Sequence, residues 1–179
     1  MEMNFCRRCG STVSSQDNGT SYTCTNNHTL FVNSAPTASI ILVNQAGNLL
    51  LSKRGIEPGK GQLDAFGGFI DNLETTEDAA VRELAEETGL TPEQYEPLQY
   101  LSSGAGSYLF DGETRSVLTL CYWARLKPGV TLVASDDVAE IVEMSPDEFK
   151  LDELWNEDIK HGYRDLIATL SKSTGIISL

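Results

Sequence analysis

The sequence predicts a mixed fold of strands and two helices, α/β or α+β, preceded by a small segment of different composition. Two observations carry this prediction: short apolar runs alternate with two stretches of helical periodicity along residues 37–171, and residues 1–33 are rich in Ser, Thr, Asn and Gly and contain three of the four cysteines. A length of 179 residues fits one domain with a small addition. We therefore place the two parts at residues 1–33 and 34–179.

Composition and charge limit the partners. The chain has 26 acidic residues against 13 Lys plus Arg, a net charge of −13, so we expect neither a duplex-DNA ligand nor a polybasic membrane anchor. The most apolar stretch, residues 38–43, is too short for a membrane-spanning helix. Residues 1–8 lack the apolar core of a secretory signal. We expect a soluble, cytoplasmic protein.

The main domain begins with a predicted β-hairpin. Residues 37–43 form the first strand, residues 44–48 a turn that contains Gly47, and residues 49–54 the return strand. The remaining strand-like runs are residues 98–101, 107–110, 117–126 and 138–144. The helical patterns are residues 76–88 and 156–171.

The first helical pattern has start and stop signals. Thr75 with Asp78 three residues later fits an N-terminal capping box, and Gly89 fits a C-terminal stop. At 100° per residue, three carboxylates fall within an arc of about 100°: Glu83, Glu86 and Glu87. Four residues are predicted to face a core on the opposite side: Val81, Leu84, Ala85 and Thr88.

Three carboxylates on one arc repel one another, at a cost of a few tenths of a kcal/mol for each pair. Folding does not require that arrangement, whereas Mg²⁺ or Mn²⁺ prefers carboxylate oxygens. The pattern therefore favours a divalent-cation site. The alternative is a solvated acidic face, which an isolated E-x-x-E-E would also produce.

The complete spacing decides between these readings. The fixed points fit G-x5-E-x7-R-E-U-x-E-E-x-G-U, in which U is aliphatic: Gly68, Glu74, Arg82, Glu83, Leu84, Glu86, Glu87, Gly89 and Leu90. The segment resembles the Nudix box, so the chain is similar to Nudix hydrolases, which cleave a nucleoside diphosphate linked to another moiety. Phe66 stands where this family often has Pro before the Gly-Gly pair.

The resemblance implies an α/β/α sandwich and a set of site residues. The implied metal-binding residues are Gly67, through its carbonyl, and Glu83, Glu86 and Glu87. The implied catalytic set adds Arg82 and Glu74, which orient the loop and the helix by ion pairing. The family does not fix the general base, and four acids stay open for it: Glu83, Glu86, Asp111 and Glu113.

A further acid is expected from a later strand or loop. The candidates are Asp136, Asp137, Glu140 and Glu143. Glu140 is the best match to the stretch in which NADH pyrophosphatases carry such a ligand, and an exposed carboxylate at a strand edge is its alternative.

Four residues are candidate substrate contacts. Lys53 and Arg54, with Lys60, precede the box as cations for phosphate, with ordinary solvated cations as the alternative. Tyr108 is a candidate for stacking on a base, and a core tyrosine is the alternative.

The N-terminal cysteines predict a structural zinc site. Cys6, Cys9, Cys24 and His28 follow a C-x2-C-x14-C-x3-H spacing with the donor types of tetrahedral zinc. The segment resembles the zinc ribbon of NADH pyrophosphatases, in which the fourth ligand is Cys, whereas here Asn27 takes that position and His28 follows it. A ribbon that has lost its metal is the alternative.

These observations predict a metal-dependent pyrophosphatase acting on a nucleotide small molecule such as ADP-ribose, NADH or another nucleotide-sugar or dinucleotide. Mg²⁺ or Mn²⁺ and a structural Zn²⁺ are the expected metals. The S-Q-P-W-P-F-P-x-S motif of NADH pyrophosphatases is absent, so specificity for NADH does not follow. The alternative function is a nucleotide-sensing or partner-binding module that uses the ribbon as its interaction surface. A homodimer stays an open possibility.

Overall fold

The N-terminal part forms a small antiparallel sheet. The computed structural model describes residues 3–110 and 112–173. Strands β1 (Val13–Gln16), β2 (Ser21–Cys24) and β3 (Thr29–Phe31) pair in that order. Three buried side chains form its apolar core, against which Met3 and Val13 pack: Cys6, Cys24 and Leu30. A core of this size gives the sheet little stability by itself.

The main domain is built on one mixed sheet. Its strands are β4 (Ala35–Val43), β5 (Leu49–Arg54), β6 (Leu63–Asp64), β7 (Phe66–Phe69), β8 (Gln99–Phe110), β9 (Glu113–Arg125) and β10 (Val138–Met144). The helices are α1 (Thr76–Thr88) and α2 (Glu157–Ser173). The strand order is β10-β5-β4-β9-β8, with β6 paired to β5 and β7 paired to β4. Strand β4 is central, parallel to β9 and antiparallel to β5 and β7.

Each face of the sheet is covered by one helix. Alternation along β4 sends Ile40 and Leu42 to the cluster that contains Leu84 of α1. It sends Ile41 and Val43 to the cluster that contains Tyr163 and Leu166 of α2. This arrangement confirms the α/β/α sandwich.

Several predicted elements are confirmed. The hairpin of β4 and β5 closes with Leu42 opposite Leu50 and Val43 opposite Leu49. Helix α1 spans the predicted residues, with Thr75 accepting a hydrogen bond from the Asp78 amide and Gly89 left-handed at φ 71°. Helix α2 runs two residues beyond the predicted end. Among the residues that the structure describes, no helix is long and apolar enough to cross a membrane.

The prediction of separate strands at residues 98–101 and 107–110 is wrong, because β8 continues through residues 102–106. Those residues are Ser, Gly and Ala, which sequence patterns read as a break, but they pair with β9. Gly104 and Gly106 also let α2 lie directly on the strand: a Cβ on Gly106 would stand 2.9 Å from the Cβ of Asp158. Tertiary contact therefore overrides composition.

Candidate active site and metal centre

Helix α1 turns two of its glutamates inward. Glu83 and Glu87 are one turn apart and only 9% and 6% exposed, and both face the glycine pair of β7. The amide of Gly67 donates to Glu87 Oε2 at 2.9 Å. A Cβ on Gly68 would stand 2.5 Å from Glu83 Oε1, so the strand approaches this carboxylate closely only because Gly68 has no side chain.

The predicted division of α1 into an acidic arc and an apolar arc needs correction. Leu84 and Thr88 are buried as predicted, but Ala85 is exposed. The side chain of Glu86 is 48% exposed. The helix packs on both β4 and β7, so its buried surface also includes Glu83 and Glu87. A helical wheel cannot predict which face of α1 is buried, because that face depends on the position of β7.

Arg82 links the loop after β7 to the helix. Its Nε and Nη2 donate to the two oxygens of Glu74 at 2.8 and 2.9 Å, and Nη2 also donates to the Phe69 carbonyl at 3.0 Å. Its Nη1 pairs with Glu83 at 2.7 Å and Glu86 at 3.1 Å. The hydrogen bonds from Arg82 lower the pKa of Glu74 to about 2. The ion pair between Arg82 and Glu74 therefore joins the loop after β7 to helix α1.

Crowding of carboxylates dominates the electrostatics of this region. Burial raises the pKa of Glu87 to about 8, against the hydrogen bond from Gly67, and the charges of Glu83, Asp64 and Asp137 raise it further. Burial also raises the pKa of Glu83, with the charges of Glu86 and Asp136 acting in the same direction. Such a group of acids is unfavourable without a compensating cation.

The loop between β9 and β10 brings two aspartates to this group. The Ser135 amide donates to the Glu87 carbonyl at 2.9 Å, and the Gly55 amide donates to the Asp137 carbonyl at 2.7 Å. These bonds fix Asp136 and Asp137 beside the C-terminal end of α1. Both had been candidates in the sequence.

Glu140 lies in different surroundings. Its Oε2 pairs with Lys53 Nζ at 3.1 Å on β5, and its side chain is 60% exposed. The acids whose charges act on Glu83 and Glu87 are Asp64, Asp136 and Asp137 together with Glu86. Glu140 as a metal ligand therefore stays a prediction, and the geometry favours the two aspartates before it.

The donor set fits a hard divalent cation. All the side chains of this cluster offer carboxylate oxygens, the ligands that Mg²⁺ and Mn²⁺ prefer: Glu83, Glu86, Glu87, Asp136 and Asp137. Gly67, the predicted carbonyl ligand, contacts Glu87 directly. The structure places the three box glutamates on α1 beside the glycine pair of β7, whereas Glu140 lies apart from them in an exposed ion pair. Of the acids left open as general base, Asp111 lies outside the described residues.

A cleft of about 140 Å³ lies beside the glycine pair. Arg54 and Tyr108 line it, as do Asp64, Trp155 and Asp158, which the sequence analysis did not single out. Asp64 ends β6, Trp155 lies in the segment before α2, and Asp158 lies in the first turn of α2, so the three show no common spacing. Lys53 is outside the set of lining residues.

The floor of the cleft is polar. Thr37 and Thr119 share a hydrogen bond of 2.6 Å, and Thr119 also donates to Asp158 Oδ2. Ser39 Oγ and Asp158 Oδ1 are buried and have no hydrogen-bond partner among the described residues. Burial raises the pKa of Asp158. Buried polar atoms of this kind point to a ligand with polar groups of its own.

The four predicted zinc ligands meet in the N-terminal sheet. Their ligand atoms all lie within 4.8 Å of one another. Cys9 Sγ and Cys24 Sγ are 3.8 Å apart, and Cys6 Sγ and His28 Nδ1 are 3.6 Å apart. A tetrahedral zinc ion requires about 3.8 Å between two sulfurs and about 3.6 Å between sulfur and nitrogen, given its usual bond lengths. Hydrogen bonds with Ser11 and Asn26 lower the pKa of Cys9 to about 5. The residues therefore fit zinc, with His28 as the fourth donor.

Comparison with known proteins gives a consistent family. The NUDIX domain model matches residues 33–166. The chain is 32% identical over 127 residues to the human mitochondrial NAD(P)H pyrophosphatase NUDT13, covering 71% of this chain and 34% of that protein. It is 34% identical over 128 residues to the zebrafish (Danio rerio) oxidized purine nucleoside triphosphate hydrolase, covering 68% and 73%.

A solved structure extends the likeness to the whole fold. The NUDIX hydrolase of Nitrosomonas europaea superposes with a TM-score of 0.67 at 21% identity, covering 97% of this chain and 94% of that one. At this identity the likeness concerns the fold. The chain spans about a third of the length of the human relative.

Proposed function

Because the chain belongs to the NUDIX family, we propose that it is a metal-dependent hydrolase that cleaves the diphosphate linkage of a nucleoside diphosphate derivative such as ADP-ribose or NADH. The observation that carries this proposal is the inward turn of Glu83 and Glu87 onto the glycine pair of β7, next to a cleft. All the acids of the box are present, and the two aspartates at the end of the β9–β10 loop add to them.

The division of labour among the residues follows from their positions. Glu83, Glu86 and Glu87, with Gly67 and Asp137, would hold Mg²⁺ or Mn²⁺. When bound, the cation neutralises phosphate oxygens and lowers the pKa of a water. Arg82 and Glu74 keep the loop and the helix in register through their paired hydrogen bonds. Glu86 is exposed enough to accept a proton from the attacking water.

The cleft is the proposed binding place of the nucleoside part. Tyr108 stands between Phe69 and Trp155, with ring centroids 5.6 Å from each in edge-to-face geometry. Aromatic walls and buried oxygens at the floor suit a planar heterocycle with polar edges. Lys53 lies at the surface with its side chain 42% exposed, so its proposed contact is with a phosphate outside the cleft.

We also propose that Cys6, Cys9, Cys24 and His28 hold one structural Zn²⁺. Four protein donors close the coordination sphere, so this metal would stabilise the small sheet and take no part in hydrolysis. The small apolar core of that sheet supports such a need.

The test is hydrolysis by the purified full chain with Mg²⁺ or Mn²⁺ of a panel that includes ADP-ribose, NADH, FAD, dinucleoside polyphosphates and an oxidised purine nucleoside triphosphate. For ADP-ribose and one water, the expected products are AMP and ribose 5-phosphate, quantified by chromatography. Chelation by EDTA should stop the reaction, and added Mg²⁺ should restore it.

Two results would reject the proposal. Turnover that EDTA leaves unchanged would rule out a metal-dependent hydrolase. Nucleotide binding without turnover of any member would favour the alternative, a nucleotide-sensing module.

A further inference from the structure

Lys53 and Arg54 are neighbours in sequence but lie in different surroundings. Successive side chains of a strand point to opposite faces, and at the end of β5 Lys53 pairs with exposed Glu140 while Arg54 turns to Asp64. The side chains of Arg54 and Asp64 are 14% and 13% exposed. The two cations are therefore not equivalent as phosphate contacts.

The guanidinium of Arg54 is fixed by protein acceptors. Its Nη1 pairs with Asp64 Oδ2 at 2.7 Å, and its Nε donates to the Pro58 carbonyl at 2.7 Å. Asp64 is itself anchored, because its Oδ1 accepts from the Ala65 amide at 2.8 Å. A planar group bound at two of its nitrogens has a fixed plane as well as a fixed position.

The guanidinium lies over the ring of Trp155. The Arg54 Cζ is 4.4 Å from the ring centroid, within the range of a cation–π contact. The loop backbone at Gly59 also touches the ring: a Cβ there would stand 2.8 Å from Trp155 Cε3. The Trp155 amide donates to the Leu63 carbonyl at 3.0 Å. The ring thus contacts β5 and the β5–β6 loop, and the backbone of Trp155 is fixed on β6.

We propose that Arg54 is a positioning residue: held by Asp64, it fixes the ring of Trp155 as the wall of the cleft against which the planar ring of the substrate binds. This inference rests on the proposed function, since it assigns a part of the same cleft. Arg54 then acts on the substrate through Trp155, and Asp64 acts through Arg54.

The first test needs no substrate. The chain has two tryptophans, so Trp123→Phe leaves Trp155 as the single tryptophan, which can be excited at a wavelength that tyrosine does not absorb. In that background Arg54→Lys keeps the charge but loses the planar group, and we expect acrylamide to quench Trp155 roughly two-fold more efficiently, with lower anisotropy. Arg125→Lys is the matched control, because Arg125 bonds the Asn44 carbonyl at 2.9 Å and does not line the cleft.

The second test is a double-mutant cycle on KM with the best substrate of the panel. Arg54→Lys alone should raise KM by roughly three- to ten-fold and change kcat by less than about two-fold. In a Trp155→Leu background the same change should have no further effect, because the two residues act as one unit. Asp64→Asn should reproduce the KM effect of Arg54→Lys. Thermal unfolding confirms that each variant folds.

The outcomes separate this inference from the proposed function. Unchanged quenching of Trp155 in Arg54→Lys, or additive effects on KM, would overturn it, the latter because Arg54 would then contact the substrate independently. A wild-type chain that hydrolyses no member of the panel would refute the proposed function and leave the fluorescence comparison to decide the role of Arg54.

Discussion

The two candidate metal sites are held in place in opposite ways. In the described part of the N-terminal sheet, two donor pairs lie at the separations of a tetrahedral zinc site and all four donors lie within 4.8 Å of one another. Two of the donors, Cys6 and Cys24, form the small buried core together with Leu30. The glutamates of α1 stand on a helix that packs on a large sheet core, and Arg82 joins the helix to the loop. On the proposed function, the first site would depend on its metal for its fold, whereas the second has its fold already and would depend on its metal for neutralisation.

This contrast teaches what each metal would do. A zinc ion bound by a closed set of sulfur and nitrogen donors would contribute free energy of folding that the small apolar core cannot supply. Buried carboxylates beside an accessible cleft repel one another, and a bound cation would relieve that repulsion; perturbed acids of this kind are typical of functional sites. Removing either metal should therefore have different consequences.

The largest effect is expected from Glu87→Gln. The change keeps the size of the side chain and removes one charge from the buried cluster, so kcat should fall by on the order of 10²-fold or more. Burial raises the pKa of Glu87 to about 8, so the metal-free folded protein must protonate this carboxyl near neutral pH, at a cost in stability. Gln is neutral without that cost, and the metal-free variant should melt no lower than wild type.

The control for that change is Glu96→Gln, an exposed glutamate outside the box, which should retain full activity. Wild-type kcat in Glu87→Gln would exclude it from the site. A clearly lower melting temperature would mean that Glu87 is a structural residue.

Cys9→Ser should lower the stability of the N-terminal sheet and leave hydrolysis nearly unchanged. Metal analysis of the wild type should find about one zinc for each chain, and the variant should lose it. Hydrogen exchange should then accelerate in β1, β2 and β3, while kcat changes by no more than about two-fold. Ser15→Ala in the same sheet should keep its zinc. Zinc retained by Cys9→Ser, or a disulfide between Cys6 and Cys9, would contradict the assignment.

A smaller effect separates the two candidates for the outer acid. Asp137→Asn should raise the Mg²⁺ concentration for half-maximal rate by on the order of 10-fold, because Asp137 acts on Glu87. Glu140→Gln, which breaks only an exposed pair with Lys53, should shift it by less than about two-fold. The reverse ranking would support Glu140, the acid favoured by the sequence, and would show that β10 approaches the cluster more closely than its position here.

The smallest effect is expected for the ion pair between Arg82 and Glu74, which needs no metal to form. Arg82 lowers the folded pKa of Glu74 to about 2, from 4.5. The stabilisation is therefore fully present above pH 4.5 and is lost as the pH falls towards 2. The difference in melting temperature between wild type and Glu74→Gln should be constant near neutral pH and shrink over that interval. A constant difference down to pH 2 would mean that the pair is broken in solution.

Local patterns were sufficient for the elements whose signals lie close together in the chain. The start and end of α1 follow from Thr75 and Gly89, the hairpin of β4 and β5 from its turn, and the four zinc donors from their spacing. Each depends on short-range geometry or on ligand chemistry, which residue types and intervals encode directly.

Contacts between distant segments escaped these patterns. Strand β8 continues through a Ser- and Gly-rich stretch because that stretch pairs with β9 and packs against α2. Asp64, Trp155 and Asp158 line one cleft although they are far apart in the chain. The neighbouring cations Lys53 and Arg54 are alike in sequence, but only pairing of β5 with β6 and β10 gives them different partners.

The sequence by itself determined the ligand types on which the proposed chemistry depends: the spacing of the Cys and His donors, and the helix that carries the acids. The tertiary structure alone decided the rotation of α1 that buries Glu83 and Glu87, and the meeting of Arg54 with Trp155. The physical reason is that ligand type and helical spacing are properties of the chain over a few residues. Burial, charge coupling and the orientation of a helix depend on what the sheet places opposite it, through contacts between residues far apart in the chain.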